Sequence, residues 1–148
     1  MKLLSLFFFY TYIGLVVLAG FWGAFLGPEL DYEILIGLDA ETLNETTRAN
    51  ILSQYRFLRV MEVGYGLFAI VFRTEIFSVK KFNILFLTIM LGGVLARLLS
   101  LAVDGPPGWI FYFFMIYEGM GVVIIGMYSQ KEIWKQTKKF NQETALNK

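Results

Sequence analysis

The chain has 148 residues, 57% of them hydrophobic and 18% aromatic, with a formal net charge of +1. That apolar share exceeds the roughly 45–50% of an ordinary soluble domain, and near-neutrality offers no bulk attraction to nucleic acid. With no cysteine and no histidine, the chain has no disulfides, thiol redox chemistry, zinc or haem sites with His or Cys ligands, or histidine acid–base catalysis.

Four apolar segments are predicted as spanning helices, each long enough to cross a hydrocarbon core of about 30 Å at about 1.5 Å per residue. The first runs from about Leu3 to Leu26 and the second from about Ile51 to Phe72. The third covers about Phe82 to Val103 and the fourth about Trp109 to Tyr128. Lys2 and the small residues Ala19, Gly20, Gly23 and Ala24 give the first segment some likeness to a signal peptide. Its apolar run exceeds the roughly 7–15 residues of a signal core and no A-x-A site follows, so a retained helix is expected. Pro28 after Gly27 stops that helix, and Tyr32 to Leu38 is apolar enough to lie at the membrane surface. Thr42 and Glu45 have the spacing of a capping box, which would start the second helix near Thr42 and carry it proud of the membrane. Asn44, Glu45 and Thr46 match a glycosylation sequon that would carry no meaning in a bacterial chain. The linker from Arg73 to Lys81 and the turn from Asp104 to Gly108 separate the later spans. The polar tail from Ser129 to Lys148 is expected to fray or to lie on the membrane surface.

The expected architecture is therefore an all-α, four-helix transmembrane bundle forming a single membrane domain over 1–148. Lys2, Arg73, Lys80, Lys81, Lys131, Lys135, Lys138, Lys139 and Lys148 fall on one side of four spans. The positive-inside bias then places both termini in the cytoplasm and the acidic first loop outside. A bacterial inner-membrane location is expected.

Six ionisable side chains interrupt the apolar segments: Arg56, Arg59, Glu62, Arg97, Asp104 and Glu118. A charge at the bilayer centre costs at least about 2.5–3.5 kcal/mol on insertion scales, so such residues face a bundle interior or a wet cavity and mark function. Counted along ideal helices, Arg59 lies about 12 Å below the outer boundary, Glu62 about 16 Å, Arg97 about 9 Å and Glu118 about 13 Å. Asp104 and Arg56 sit nearer the rim. Arg97, Ser100 and Asp104 share one helix face at i, i+3 and i+7, and Tyr55, Arg59, Glu62 and Gly66 form a comparable stripe. Asn50 and Gln54 extend the polar character outward. The expectation is an outward-facing polar vestibule with an equal number of positive and negative groups.

Three readings of that cluster stay open. It could bind or transport a small anionic or lipid-headgroup ligand through Arg59 and Arg97, with Glu62 and Glu118 orienting them and Asp104 at the mouth. It could instead consist of buried arginine–carboxylate pairs that only hold the helices in register. In the third, Glu118 lacks an arginine partner, burial keeps it protonated, and the protein is a membrane-embedded transferase or isomerase, or moves protons. An oxygen-only metal site from Glu62, Asp104 and Glu118 is disfavoured by the three arginines, and no cofactor is implied. The expected partner is the lipid bilayer, with no nucleic acid, and a homo-oligomer is compatible with the glycines Gly23, Gly27, Gly92, Gly93, Gly119 and Gly121, which permit close helix approach. The aromatic runs Phe7 to Tyr10 and Phe111 to Phe114 read as lipid-facing and interfacial. Glu62–Val–Gly64–Tyr–Gly66 and Glu118–Gly119–Met–Gly121 faintly echo one another, as two related hairpins would.

The block Arg97–Leu–Leu–Ser100–Leu–Ala–Val–Asp104–Gly105–Pro106, followed by Glu118, resembles a domain-of-unknown-function family of small bacterial membrane proteins. That family has four predicted spans, an Arg-x-x-Ser-x-x-x-Asp-Gly block ending the third and a Glu in the fourth. Arg48, Asn50 and the Gly64/Gly66 pair occupy comparable places, whereas Arg56 and Arg59 beside Glu62 depart from the pattern. The resemblance covers nearly the whole chain and implies a four-helix inner-membrane fold without a particular activity.

Overall fold

The computed structural model describes residues 1–146 and is all-α. Its elements are α1 (Lys2–Phe21), a π-helical turn (Trp22–Leu26), α2 (Pro28–Ile36), a 3-10 turn (Ala40–Thr42), α3 (Glu45–Val71), α4 (Arg73–Ser78), α5 (Lys80–Val103) and α6 (Trp109–Leu146). Three stretches are long and apolar enough to cross a membrane: Lys2–Leu26, Lys80–Val103 and Trp109–Lys139. These point to a membrane protein. α3 has 27 residues, enough to span at about 1.5 Å each, but Arg48, Arg56, Arg59 and Glu62 set its composition apart from the other three.

The chain divides into two compact units: Met1–Tyr10 with Val71–Lys148, and Thr11–Ile70. In the Thr11–Ile70 unit, α1 and α3 approach closely because glycine supplies the contact. A side chain at Gly20 would lie 2.9 Å from the Arg59 carbonyl, and one at Gly66 would collide with Val17. Small residues at such a crossing let backbones meet without a layer of side chains between them. Gly27 ends the π-helical turn, its N–H bonding to the Trp22 carbonyl at 3.0 Å. Pro28 then opens α2, a position where its missing N–H costs nothing. Gly37 closes α2 at φ +75°, with its N–H on the Glu33 carbonyl; a left-handed residue at this position favours glycine. Outside this helix pair, Glu29 accepts a bond from Arg48 and raises the pKa of that guanidinium further. This exposed pair is weakened by salt.

The start of α3 differs from the capping-box expectation. Asn44 is the cap, its side-chain oxygen accepting from the Thr47 N–H at 2.9 Å. Thr42 instead donates to the Asp39 carbonyl at 2.7 Å, in a turn where Asp39 also accepts from the Glu41 N–H. The local side-chain bond at Thr42 competes with helix formation and delays it by two residues.

In the other unit, α4, α5 and α6 pack with the first turns of α1. Phe9, Ile76, Phe86, Met90 and Ile125 are fully buried there. The Phe9 ring lies 5.3 Å from Phe77 and 5.4 Å from Phe86, centroid to centroid. The segment Arg73–Lys81, read from sequence as a linker, holds the short helix α4. Its carbonyls would be orphaned where the chain breaks at extended Val79, and buried Asn83 supplies the remedy: its Nδ2 donates to the Ile76 carbonyl at 2.9 Å. The polar segment after Ser129 is helical as far as residue 146. α6 continues through Leu146, helped by an exposed Glu132–Lys135 pair one turn apart; residues 147 and 148 lie outside the described residues.

Candidate functional site

Of the six charges that interrupt the apolar segments, Arg56, Arg59 and Glu62 belong to the Thr11–Ile70 unit, while Arg97, Asp104 and Glu118 belong to the unit containing α5 and α6. Each set has its own geometry.

Arg59 is buried and every nitrogen of its guanidinium is engaged. Nη2 lies 2.6 Å from Asp31 Oδ2 and Nη1 lies 2.7 Å from Glu62 Oε2. Nε and Nη2 also donate to the Tyr55 hydroxyl at 3.1 and 2.9 Å. That hydroxyl in turn donates to Asp31 Oδ2 at 2.6 Å, closing a ring of hydrogen bonds among three side chains. Of the stripe Tyr55, Arg59, Glu62 and Gly66 read from α3, the first three are joined by hydrogen bonds through Arg59, while Gly66 packs against Val17. Gly23 makes room for it: a side chain there would collide with Asp31 Oδ2 and lie 2.8 Å from Arg59 Nε.

The π-helical turn contributes a second polar contact. A π-turn lengthens the hydrogen-bond ring by one residue and disturbs the regular pairing of carbonyls around it. Arg56, exposed on α3, donates from Nη1 to the Ala24 carbonyl at 2.7 Å. Asn50 and Gln54 on the same helix are exposed.

Asp31 is the residue that sequence reasoning missed, because it was counted among the acids of an external loop. A signal existed: once Pro28–Ile36 is treated as a helix, Pro28, Asp31 and Leu35 share one face at i, i+3 and i+7. An acid between two apolar residues on one face needs a buried partner.

In the second set, Arg97 on α5 meets Glu118 on α6. Nε and Nη2 point at the two carboxylate oxygens at 3.3 and 3.2 Å. This is fork-to-fork geometry, stretched beyond the roughly 2.7–2.9 Å of a tight charge-assisted pair. Gly93 lies beside the carboxylate, where an added Cβ would sit in ordinary contact with Oε2 at 3.6 Å. The Arg97 side chain is 31% exposed against 9% for Glu118, and its guanidinium carbon sits 5.8 Å and 5.6 Å from the ring centres of Phe111 and Phe114. Those rings, read from sequence as lipid-facing, thus also floor the arginine through cation–π contact. Arg97 Nη1 has no hydrogen-bond partner among the described residues. One turn on, Ser100 donates to Asp104 at 2.8 Å, both exposed.

The comparisons with known proteins bear on this arrangement. A family model described as a domain of unknown function, DUF4345, matches residues 2–128. The chain belongs to the DUF4345 family. It has no significant match among curated proteins or among solved structures. The DUF4345 match takes in both charged sets and ends at Tyr128, so the distal part of α6 is outside it.

Proposed function

We propose that this DUF4345 protein is a membrane-embedded binding protein for a small oxyanion, a carboxylate or phosphate group, and that Arg97 is the residue that recognises it. The observation that carries this reading is the contrast between the two buried-side arginines. Arg59 has every nitrogen taken at 2.6–3.1 Å, whereas Arg97 holds Glu118 at stretched distances and keeps Nη1 uncommitted. A guanidinium resting on two aromatic faces, with donors to spare, suits a second oxyanion beside its carboxylate. Glu118 would hold the arginine in place without saturating it. In the four-span topology with cytoplasmic termini, this group faces outward near the turn between α5 and α6.

A second reading is favoured by the Arg59 network: the charges serve only to fasten helices together. Saturation by Asp31, Glu62 and Tyr55 is what a structural strut requires.

Thermal unfolding of the protein in phosphatidylcholine nanodiscs separates the two. Inorganic phosphate, acetate and glycerol phosphate are titrated, and phosphatidylglycerol nanodiscs serve as the lipid-headgroup arm. A ligand at a hundred times its Kd stabilises by about 2.7 kcal/mol, a rise of roughly 5–10 °C for a domain of this size. Binding at Arg97 predicts that rise for at least one oxyanion and its loss in Arg97→Gln. No rise with any of them, or an equal rise in Arg97→Gln, overturns the proposal and leaves the strut.

A further inference from the structure

A groove of about 380 Å³ runs between α5 and α6 on the face remote in sequence from the Arg97–Glu118 pair. Asn83, Leu87 and Leu91 line it from α5, and Val122, Gly126 and Gln130 from α6. Its wall is mostly aliphatic, with Thr88 part-way along and amide side chains at one end. That end holds Asn83, near the start of α5, and Gln130, late in α6.

We propose that this groove holds one acyl chain of an anionic phospholipid whose phosphate is bound at the lysine-bearing end of the α5–α6 hairpin. Three observations converge on that occupant. The first is length: Asn83 to Leu91 rises about 12 Å along the helix, most of the roughly 15 Å of one leaflet in a core about 30 Å thick. The second is the position of the polar end. Exposed Gln130 lies where an ester or phosphate group would sit above a chain in the groove, at the same end as the charged flanks; the Asn83 amide at that end is buried and donates to the Ile76 carbonyl.

The third is charge. Lys80 sits four residues before Ile84, and Lys131 four residues after Met127; both apolar residues line the groove. Helical spacing puts each lysine over the same face as its groove residue, one turn beyond it. Both lysines are exposed, and neither joins an ion pair among the described residues. A long cationic side chain at a membrane boundary extends to the headgroups while its stem covers apolar surface. The groove thus offers apolar length, a polar collar and two cations in the order that an anionic lipid presents them. A small free anion would use the collar and leave the groove idle.

Gly126 is buried and shapes the groove floor: a side chain there would meet Leu87 Cδ1 at 3.5 Å. Gly119, on the same helix, faces open space and serves as the control. The test is native mass spectrometry of the full chain released from nanodiscs of mixed phosphatidylglycerol and phosphatidylcholine, counting retained lipids per polypeptide. The expected result is one retained phosphatidylglycerol in preference to phosphatidylcholine. Lys80→Gln and Lys131→Gln should each weaken that preference about fivefold, the effect of one juxtamembrane cation near an anionic surface. Gly126→Leu should abolish retention, and Gly119→Leu should not. Equal retention of the two lipids, retention unaffected by Gly126→Leu, or dimers in place of lipid adducts would each overturn the proposal. Lipid adducts are counted on surviving folded protein, with circular dichroism confirming the helix content of every variant.

Discussion

Replacing Asp31 with alanine tests the Arg59 network most directly. Asp31 accepts two short bonds, from Arg59 and from the Tyr55 hydroxyl, and its side chain is only 15% exposed. Hydrogen bonds to charged groups contribute about 1.5–3 kcal/mol each, which sets an upper range of about 3–6 kcal/mol. Glu62 still neutralises Arg59 in the variant, and its 44% exposure shows that water reaches this edge of the network. We therefore expect a loss of about 2–3 kcal/mol, less than stranding a fully buried charge would cause. For a chain of about 150 residues, that lowers the melting temperature by roughly 5–10 °C. Asp31→Asn, which keeps an acceptor for Tyr55 but loses the charge, should fall between variant and parent. Glu62→Gln should cost no more than about 1 kcal/mol because the carboxylate is half exposed. Thermal unfolding in detergent, followed by circular dichroism, reads all three. Asp31→Ala melting within about 2 °C of the parent would mean that the network contributes little and that α2 is held by other contacts.

Gly23→Ala should destabilise by at least about 2 kcal/mol by overpacking against Asp31 and Arg59, whereas Gly64→Ala, facing open space, should be neutral or gain up to about 1 kcal/mol of helix propensity; the same melts compare them. Ser5 is fully buried and its hydroxyl lacks a hydrogen-bond partner among the described residues, so Ser5→Ala should raise stability by about 1 kcal/mol; a lower melting temperature would point to a partner for that hydroxyl. Because the chain has no cysteine, Glu41→Cys and Thr74→Cys can each be labelled in intact cells without altering the background. If α3 crosses the membrane, an impermeant maleimide reacts with the first and not the second; equal labelling of both would mean that α3 does not cross.

The long elements were legible because hydrophobic runs and helix punctuation agree. Val103 and Trp109 bound the α5–α6 turn as expected, with Gly105, Pro106, Pro107 and Gly108 between them. The Arg97–Glu118 contact is an instance of the arginine–carboxylate pairing left open for the cluster, and Tyr55, Arg59 and Glu62 were placed together by their spacing. α2 and α4 were not legible as helices. Both are short, and a few residues between Gly27 and Gly37, or between Phe72 and Val79, carry too little periodicity to distinguish a helix from a linker. Glycine spacing also misled in part: Gly92 and Gly119 face open space, while Gly20 and Gly66, the residues that bring α1 to α3, differ from them only in what lies opposite. Such selectivity belongs to the packing partner and leaves no trace at the glycine itself.

The pairing of Arg97 with Glu118 has a consequence for biogenesis. The two residues are 21 positions apart, so α5 would leave the ribosome with its arginine before Glu118 is made. An isolated guanidinium about a third of the way into the core opposes lateral release into lipid by less than the roughly 2.5–3.5 kcal/mol of a helix-centre charge. With the turn at Gly105–Gly108 already formed, Glu118 arrives beside that arginine and cancels the opposition. Partitioning from the translocon is thus favoured for α5 and α6 as one hairpin, and Glu118→Leu should leave α5 slower to integrate although its own sequence is unchanged.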